Sequence, residues 1–284
     1  MSSAELFLVT ETAESKSLID FVLSNSQWIH SKKGFKKALK KEKIRVNNKL
    51  GFERIELKSG DQIEVLPPDL LVTKVFPLKL KVHFEDEFIA VVEKPAGIPT
   101  SGNYYKTLLN ALPFNLHPSS LYHEKNFYSV HRLDRSTSGL VIIAKSIAIA
   151  SELHKAFETQ KITKCYRAIV HGKLPTNGTI DLQIDQKECV TDYHSIEHFE
   201  SRRFGSLTLC ELFPKTGRTH QLRKHVSQIG HPILGDALYC EIKTPRDKGL
   251  FLQAFRLNFS HPITQAAIEI KIEEPNKFHW IRKN

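Results

Sequence analysis

His131-Arg132-Leu133-Asp134-Arg135-Ser136-Thr137-Ser138-Gly139 runs directly into Leu140-Val141-Ile142-Ile143-Ala144. The second run is apolar and rich in β-branched residues, the pattern of a strand covered on both faces. The first is turn chemistry, with Ser, Thr, Ser and Gly where the chain must straighten into that strand. One carboxylate, Asp134, is therefore presented on a loop at the mouth of a buried strand, between two arginines. Charge alone reads such a cluster as a surface loop with solvated ions, which is the commoner fate. A lone carboxylate among cations, with no second carboxylate to divide acid and base roles, suits a nucleophile better than a proton shuttle.

Downstream, Ser146 is placed to cap a helix reaching about Gln160, with Ile149, Ala150, Leu153, Ala156 and Phe157 as its apolar stripe. Tyr166-Arg167-Ala168-Ile169-Val170 reads as a strand ended by Gly172, and Leu207 to Leu212 alternates as another. Thr219 is expected to cap a helix with Leu222, Val226 and Ile229 facing inward, stopped by Gly230 and Pro232. Arg223 then falls on the face opposite the stripe. Strands outnumber helices, which implies an α+β fold: a mixed, largely antiparallel sheet flanked by helices.

Upstream, the consecutive prolines Pro67-Pro68 can continue neither a helix nor a central strand, and mark a boundary. Before them, Ser17 to Ser24 forms a short amphipathic helix with Leu18, Phe21 and Val22 on one side. Ser31 caps a second helix running to about Lys43. Lys32, Lys33, Lys36, Lys37, Lys40 and Lys41 recur at a spacing that puts all six on one face, with Phe35, Ala38 and Leu39 opposite. Lys32 to Lys49 holds nine Lys or Arg and one acid, Glu42. A solvated face normally mixes signs, so this one is read as a phosphate contact. Ile44 to Lys49 reads as strand, turn, strand, with Asn47-Asn48 at the positive φ values of the turn, and Asp61 to Leu66 as a further strand. Residues 1–14 carry no assignment.

The bulk numbers describe a globular chain with a preference for polyanions. The 284 residues suffice for one large domain and a small one, at 40% hydrophobic and 25% charged content and a formal net charge of +10. Cys165, Cys189, Cys210 and Cys240 form no C-x-x-C pair, which argues against a zinc cluster or disulfide framework and for reduced cytoplasmic thiols. Met1 to Asp20 has acids and no apolar core, unlike a signal peptide, and no apolar run is long enough for a membrane span.

The motif itself resembles the H-R-L-D-x-x-T-S-G signature of the RluA-type pseudouridine synthases. Four further blocks are similar to that family, in family order: Phe84 to Gly97 with its Lys-Pro-x-Gly turn, Lys164 to Ala168, Thr216 to Arg223, and His231 to Tyr239. The resemblance covers roughly residues 80–262. The N-terminal helices, hairpin and Gly60-Asp61 strand resemble an S4 RNA-binding domain. This implies an S4-like domain at 1–67, a linker at 68–79 and a pseudouridine synthase catalytic domain at 80–284.

The implied reaction breaks the N1–C1′ bond of a uridine, turns the uracil, and rejoins it through C5. A stacked nucleotide hides those atoms, so it must be flipped out. No redox step occurs, so no cofactor is implied. By resemblance Asp134 is the catalytic carboxylate, attacking C1′, attacking the base, or assisting a glycal route. Arg223 is the arginine that pairs with it, expected as a fork that lysine cannot reproduce. Tyr166 stacks on the flipped base or takes the C5 proton. Arg132 fills the gap left by the flipped nucleotide or grips its phosphate. His131 and Arg218 shape the loop or contact phosphate. The implied partner is RNA, large-subunit ribosomal RNA ahead of transfer RNA, acted on by a monomer without membrane or metal. His131, His220, His225 and His231 fit no metal-ligand spacing. Two other classes are weighed against this. A catalytically dead RNA-binding protein would be expected to lack Asp134, Tyr166 or Arg223. A glycoside hydrolase would require a second carboxylate, for which Glu158 and Asp181 are available.

Overall fold

A computed structural model describes residues 4–11, 17–66, 75–122, 126–242 and 248–283. The chain divides into two compact units, 1–72 and 73–284. Pro67-Pro68 and most of the expected linker lie outside the described residues. Residues 75–79, expected as the linker's end, are fastened to the second unit. The Phe76 N–H donates to the Asn110 carbonyl at 2.8 Å, and the Asn115 side chain brackets the segment through Leu78 O and Leu80 N–H.

The first unit comprises β1 (Glu5–Leu8), α1 (Leu18–Asn25), α2 (Lys32–Lys40), β2 (Ile44–Val46), β3 (Lys49–Leu50) and β4 (Gln62–Val65), with sheet order β1-β4-β2-β3. Ser17 and Ser31 cap the two helices by accepting from Asp20 N–H and Gly34 N–H. Leu18, Phe21, Val22 and Phe35 pack on Ile44, Ile63 and Val65. α2 stops at Lys40, short of the expected Lys43. Glu42 takes φ 56° and the Lys43 N–H donates back to Ala38 O, which turns the chain into β2. Asn47 and Asn48 adopt φ 51° and 62°, the hairpin turn expected of them. β1 was not expected; it adds an edge strand to β4 from Glu5↔Val65 to Leu8↔Gln62.

The second unit comprises β5 (Lys81–Glu85), β6 (Ile89–Lys94), α3 (Leu108–Asn115), β7 (Tyr128–Ser129), β8 (Ser138–Ala144), α4 (Ile147–Glu158), β9 (Thr163–His171), β10 (Asn177–Asp181), β11 (Val190–Ser201), β12 (Gly205–Pro214), α5 (Gln221–Gln228), β13 (Leu252–Ser260), β14 (Ala267–Lys271) and α6 (Asn276–Lys283). The main sheet runs β10-β11-β12-β9-β13-β8-β6-β5, with β14 beside β13 and β7 beside β8. The fold is thus the mixed, largely antiparallel α+β architecture expected. No helix among the described residues is long and apolar enough to cross a membrane.

β8 is buried on both faces: Leu140, Ile142 and Ala144 enter one core, Val141 and Ile143 the other. Its pairing with β13 is the parallel one, and spans only Ser138↔Gln253 and Gly139↔Ala254. Gly139 makes this possible. It sits at φ 121°, and a Cβ there would lie 2.2 Å from the Ala254 carbonyl oxygen, so only a residue without one lets the strands meet. The loop carrying Asp134 therefore ends at the seam between the two halves of the sheet.

Candidate active site

Asp134 is held from both sides of its own backbone. Leu133 is buried, and its N–H and C=O both bond the hydroxyl of buried Thr100 at 3.1 Å. Asp134 then opens a tight turn, its carbonyl accepting from Thr137 N–H at 3.1 Å. Arg135 and Gly97 exchange two bonds, Gly97 N–H to Arg135 O at 2.7 Å and Arg135 Nε to Gly97 O at 2.8 Å, which clamp the Lys94–Gly97 turn against the loop. Arg135 is thereby committed to backbone, and Arg132 is exposed. Neither flanking arginine forms a described ion pair with Asp134; its basic partners come from far along the chain.

Those partners are the Arg223 guanidinium, with Nη1 3.7 Å from Oδ2, and the His220 imidazole, with Nε2 3.8 Å from Oδ1. The Asp134 side chain is 25% exposed, open enough to be reached by a substrate. Arg223 does not fork onto it. Its Nε and Nη2 each donate at 2.7 Å to the two oxygens of fully buried Asp236, leaving Nη1 for Asp134. Asp236 accepts further bonds from Leu238 and Tyr239 N–H. Burial works against charge on both partners. The mutual hydrogen bonds and opposite charges outweigh it, holding the Arg223 guanidinium above and the Asp236 carboxyl below their ordinary ranges.

Two expectations are corrected here. The fork expected from Arg223 to Asp134 goes to Asp236 instead, and Arg223 is buried because the segment 231–242 folds over the face of α5 opposite Leu222 and Val226. Thr219 does not cap α5. His220 occupies the cap in left-handed conformation (φ 56°, ψ 23°) without a side-chain cap bond, and buried Gln221 organises the turn instead, accepting from Thr216 Oγ1 and Arg218 N–H.

β9 brings Tyr166 to the site, half-buried and packed in both adjoining cores. Burial, then the nearby Asp134 charge, raise its phenol above the ordinary range, so it keeps its proton. Lys94, at the end of β6, is fully buried, and its ammonium donates to Pro95 O and Ile98 O at 2.9 Å. Burial pushes its pKa down to about 8, with Asp134 opposing the shift. His131 is the loop's internal support. Its Nε2 accepts from Ile142 N–H at 3.0 Å and its ring lies 4.9 Å from Phe157. Burial and the neighbouring Lys164 lower its pKa to about 3, so it is neutral and does not serve as a phosphate cation. Arg218 and Arg132 are exposed.

The structure thus gathers Asp134, Tyr166 and Arg223, and leaves Lys32, Lys33, Lys36, Lys37, Lys40 and Lys41 in the other unit. Sequence reasoning passed over Lys94, His220, Asp236 and Tyr239, although each stood inside a quoted block. Their signal was polar residues with no periodic role. The four histidines have separate partners: His225 bonds Thr191 Oγ1 and Leu182 O, and His231 bonds His171 O. Glu158 and Asp181 are exposed, on α4 and on the β10 edge. The carboxylate brought near Asp134 is Asp236, both of whose oxygens are taken by Arg223. A free second carboxylate of the glycosidase kind is not what this site offers.

Comparison with known proteins agrees with this chemistry. Residues 88–228 match the family model described as RNA pseudouridylate synthase. The uncharacterized RNA pseudouridine synthase YlyB of Bacillus subtilis (strain 168) is 32% identical across 97% of each chain. The ribosomal large subunit pseudouridine synthase D of Buchnera aphidicola is 34% identical over 79% of this chain and 76% of its own. Among solved structures, human RNA pseudouridylate synthase domain containing 1 superposes with a TM-score of 0.58 at 27% identity, covering 69% of this chain and 84% of that one. A buried strand that opens on one aspartate, an arginine and a tyrosine drawn to it, and a 32% identical relative matched over 97% of each chain place this chain in the RNA pseudouridine synthase family, isomerases that act on uridines in RNA.

Proposed function

We propose that Asp134 is the carboxylate that acts on the target uridine, that Arg223 holds it in place, and that Tyr166 is the aromatic platform for the extruded base. The observation that carries this is the pairing of Asp134 with the single Arg223 nitrogen that Asp236 leaves over. A carboxylate gripped at one oxygen by a rigid, buried cation keeps its orientation, while its exposed side stays available to the sugar or the base. Tyr166 keeps its proton, which favours stacking and hydrogen bonding over action as a phenolate base. Arg132 and Arg218, exposed at the rim, are suited to phosphates flanking the flipped nucleotide. Every proposed catalytic residue comes from one chain, so a monomer suffices.

The substrate we propose is large-subunit ribosomal RNA in the cytoplasm. Support comes from the names of relatives: both the Buchnera protein and a 32% identical protein of Pseudomonas aeruginosa are called ribosomal large subunit pseudouridine synthase D. Mapping pseudouridines in total RNA from cells with and without the gene tests this. Sites lost only from large-subunit ribosomal RNA are expected, and loss confined to transfer RNA would replace this target with the alternative.

The N-terminal unit we read as an S4-like RNA-binding domain. Support comes from its capped helix pair, its Asn47-Asn48 hairpin, and the exposed lysines of α2. Lys36 meets Glu53 at 2.9 Å, so Lys33, Lys37 and Lys40 are the better probes. If they contact phosphates, changing all three to Gln lowers the slope of log K against log salt by roughly 2–3. Single-turnover rate at saturating enzyme should hold, since the change is remote in sequence from Asp134. A titration across salt concentrations with an unchanged slope would show that this face meets something other than RNA.

A further inference from the structure

The second basic side chain at Asp134, His220, has no role in the reading above. The helix it caps makes no use of its side chain. The backbone stands in the left-handed region, which β-carbon-bearing residues enter at a cost, and this aims the ring off the end of α5 towards the carboxylate. Nε2 lies 3.8 Å from Asp134 Oδ1, whereas the nearest approach of Arg223 is to Oδ2. The other ring nitrogen, Nδ1, is 2.9 Å from the Tyr239 hydroxyl, and the two rings meet edge to face with centroids 5.7 Å apart.

We propose that His220 is a positioning residue for the pseudouridine reaction, whose Nε2–H, oriented by the Tyr239 hydroxyl, holds the second oxygen of Asp134. Of the forms the ring can take, the protonated form and the neutral form accepting from Tyr239 both carry a proton on Nε2. The remaining tautomer would point a lone pair at a carboxylate, which is repulsive. By donating to Nδ1 the phenol selects the useful neutral tautomer, since a donor at one ring nitrogen leaves the proton on the other. The nearest approaches of the two side chains to Asp134 are to different oxygens, each slightly beyond hydrogen-bond length. Contacts of that kind tighten once substrate excludes water. Tyr239 also lies beneath the Arg223 guanidinium, 5.1 Å from its ring, so a single side chain backs both groups.

This rests on Asp134 being the working carboxylate, and the test separates the two. Total RNA from a strain lacking the gene is the substrate, and pseudouridine restored at the lost sites by excess full-length enzyme is the readout. His220→Asn retains a residue tolerant of the left-handed backbone and removes the ring. It is expected to slow the single-turnover rate at saturation by roughly 10- to 100-fold, the range of a hydrogen bond to a charged group. The enzyme concentration at half-saturation should move less than about threefold, about half in free energy of the tenfold step that 1.4 kcal/mol represents. His220→Gln, which can still present an N–H, should recover part of the rate. Tyr239→Phe, which deletes one oxygen and keeps the ring under Arg223, should slow the same step. Combined with His220→Asn it should add nothing further, since both act through one contact.

A rate within threefold of wild type for His220→Asn, or a loss confined to half-saturation, overturns the proposal, the latter making His220 an RNA contact. Multiplicative effects in the double variant overturn it as well. Should His220→Asn fail to fold, Tyr239→Phe decides alone, and an undiminished rate is fatal. Asp134→Asn run alongside distinguishes the failures. If it is active, the carboxylate assignment falls and His220 with it; if it is inactive while His220→Asn is active, only the present proposal falls.

Discussion

Asp134→Asn is expected to form no detectable pseudouridine while binding RNA within tenfold of wild type, about 1.4 kcal/mol. The amide matches the carboxylate in volume and leaves the surrounding scaffold its own bonds. Leu133 stays bonded to Thr100, and Arg223 stays forked onto Asp236. What disappears is the negative charge that Arg223 Nη1 and His220 Nε2 face. Binding should survive because phosphate contacts supply most of the affinity for RNA and do not involve this carboxylate. The purified variant is assayed for turnover and for affinity in parallel, with circular dichroism to confirm the fold. Substantial residual turnover would remove Asp134 from its role.

Arg223→Lys should be nearly as damaging, for a reason that is half structural. Asp236 is fully buried and receives two Arg223 nitrogens at 2.7 Å. An ammonium is one point charge and cannot serve both oxygens while also presenting a nitrogen to Asp134. One Asp236 oxygen then loses its charged partner, at a cost of about 1–3 kcal/mol in stability. A loss of roughly 100-fold or more in turnover is expected on top of this, comparable to removing one preorganised electrostatic group from an active site. Denaturant titration measures the first effect and single-turnover kinetics below the unfolding transition the second. Activity within threefold of wild type would make Arg223 a purely structural residue.

The contrast between these two residues shows what one chain discloses about itself. Asp134 was legible because its information is local: turn residues, then an apolar β-branched run, fix where the carboxylate stands. The caps at Ser31 and Ser146 and the turn at Asn47-Asn48 were legible for the same reason, since each is a contact within three or four residues. Arg223 was visible as a residue to bet on, but not as a buried one. Helical spacing identifies the stripe of Leu222 and Val226, and says nothing about a later segment lying across the other face. The Arg223–Asp236 fork and the Tyr239–His220 contact are products of that return. His220 was invisible as a cap because the left-handed backbone there is imposed by the Gln221 bonds rather than announced by Gly or Asn. β1 was missed because four residues of an edge strand are too short for alternation to speak.

The seam at Ser138–Gly139 and Gln253–Ala254 has a kinetic consequence. Asp134 enters from the β8 side of that junction, and Tyr166 from the β9–β13 side. The ladder between β8 and β13 is two pairs long, and its partners lie more than a hundred positions apart in sequence. Closing so long a loop exacts its entropy before the contact returns anything, so this step belongs late in folding. The halves can acquire their hairpins and helices earlier and still hold no working pair of carboxylate and tyrosine. A nascent chain that has not yet exposed β13 therefore carries a complete signature motif without the seam on which Asp134 and Tyr166 meet.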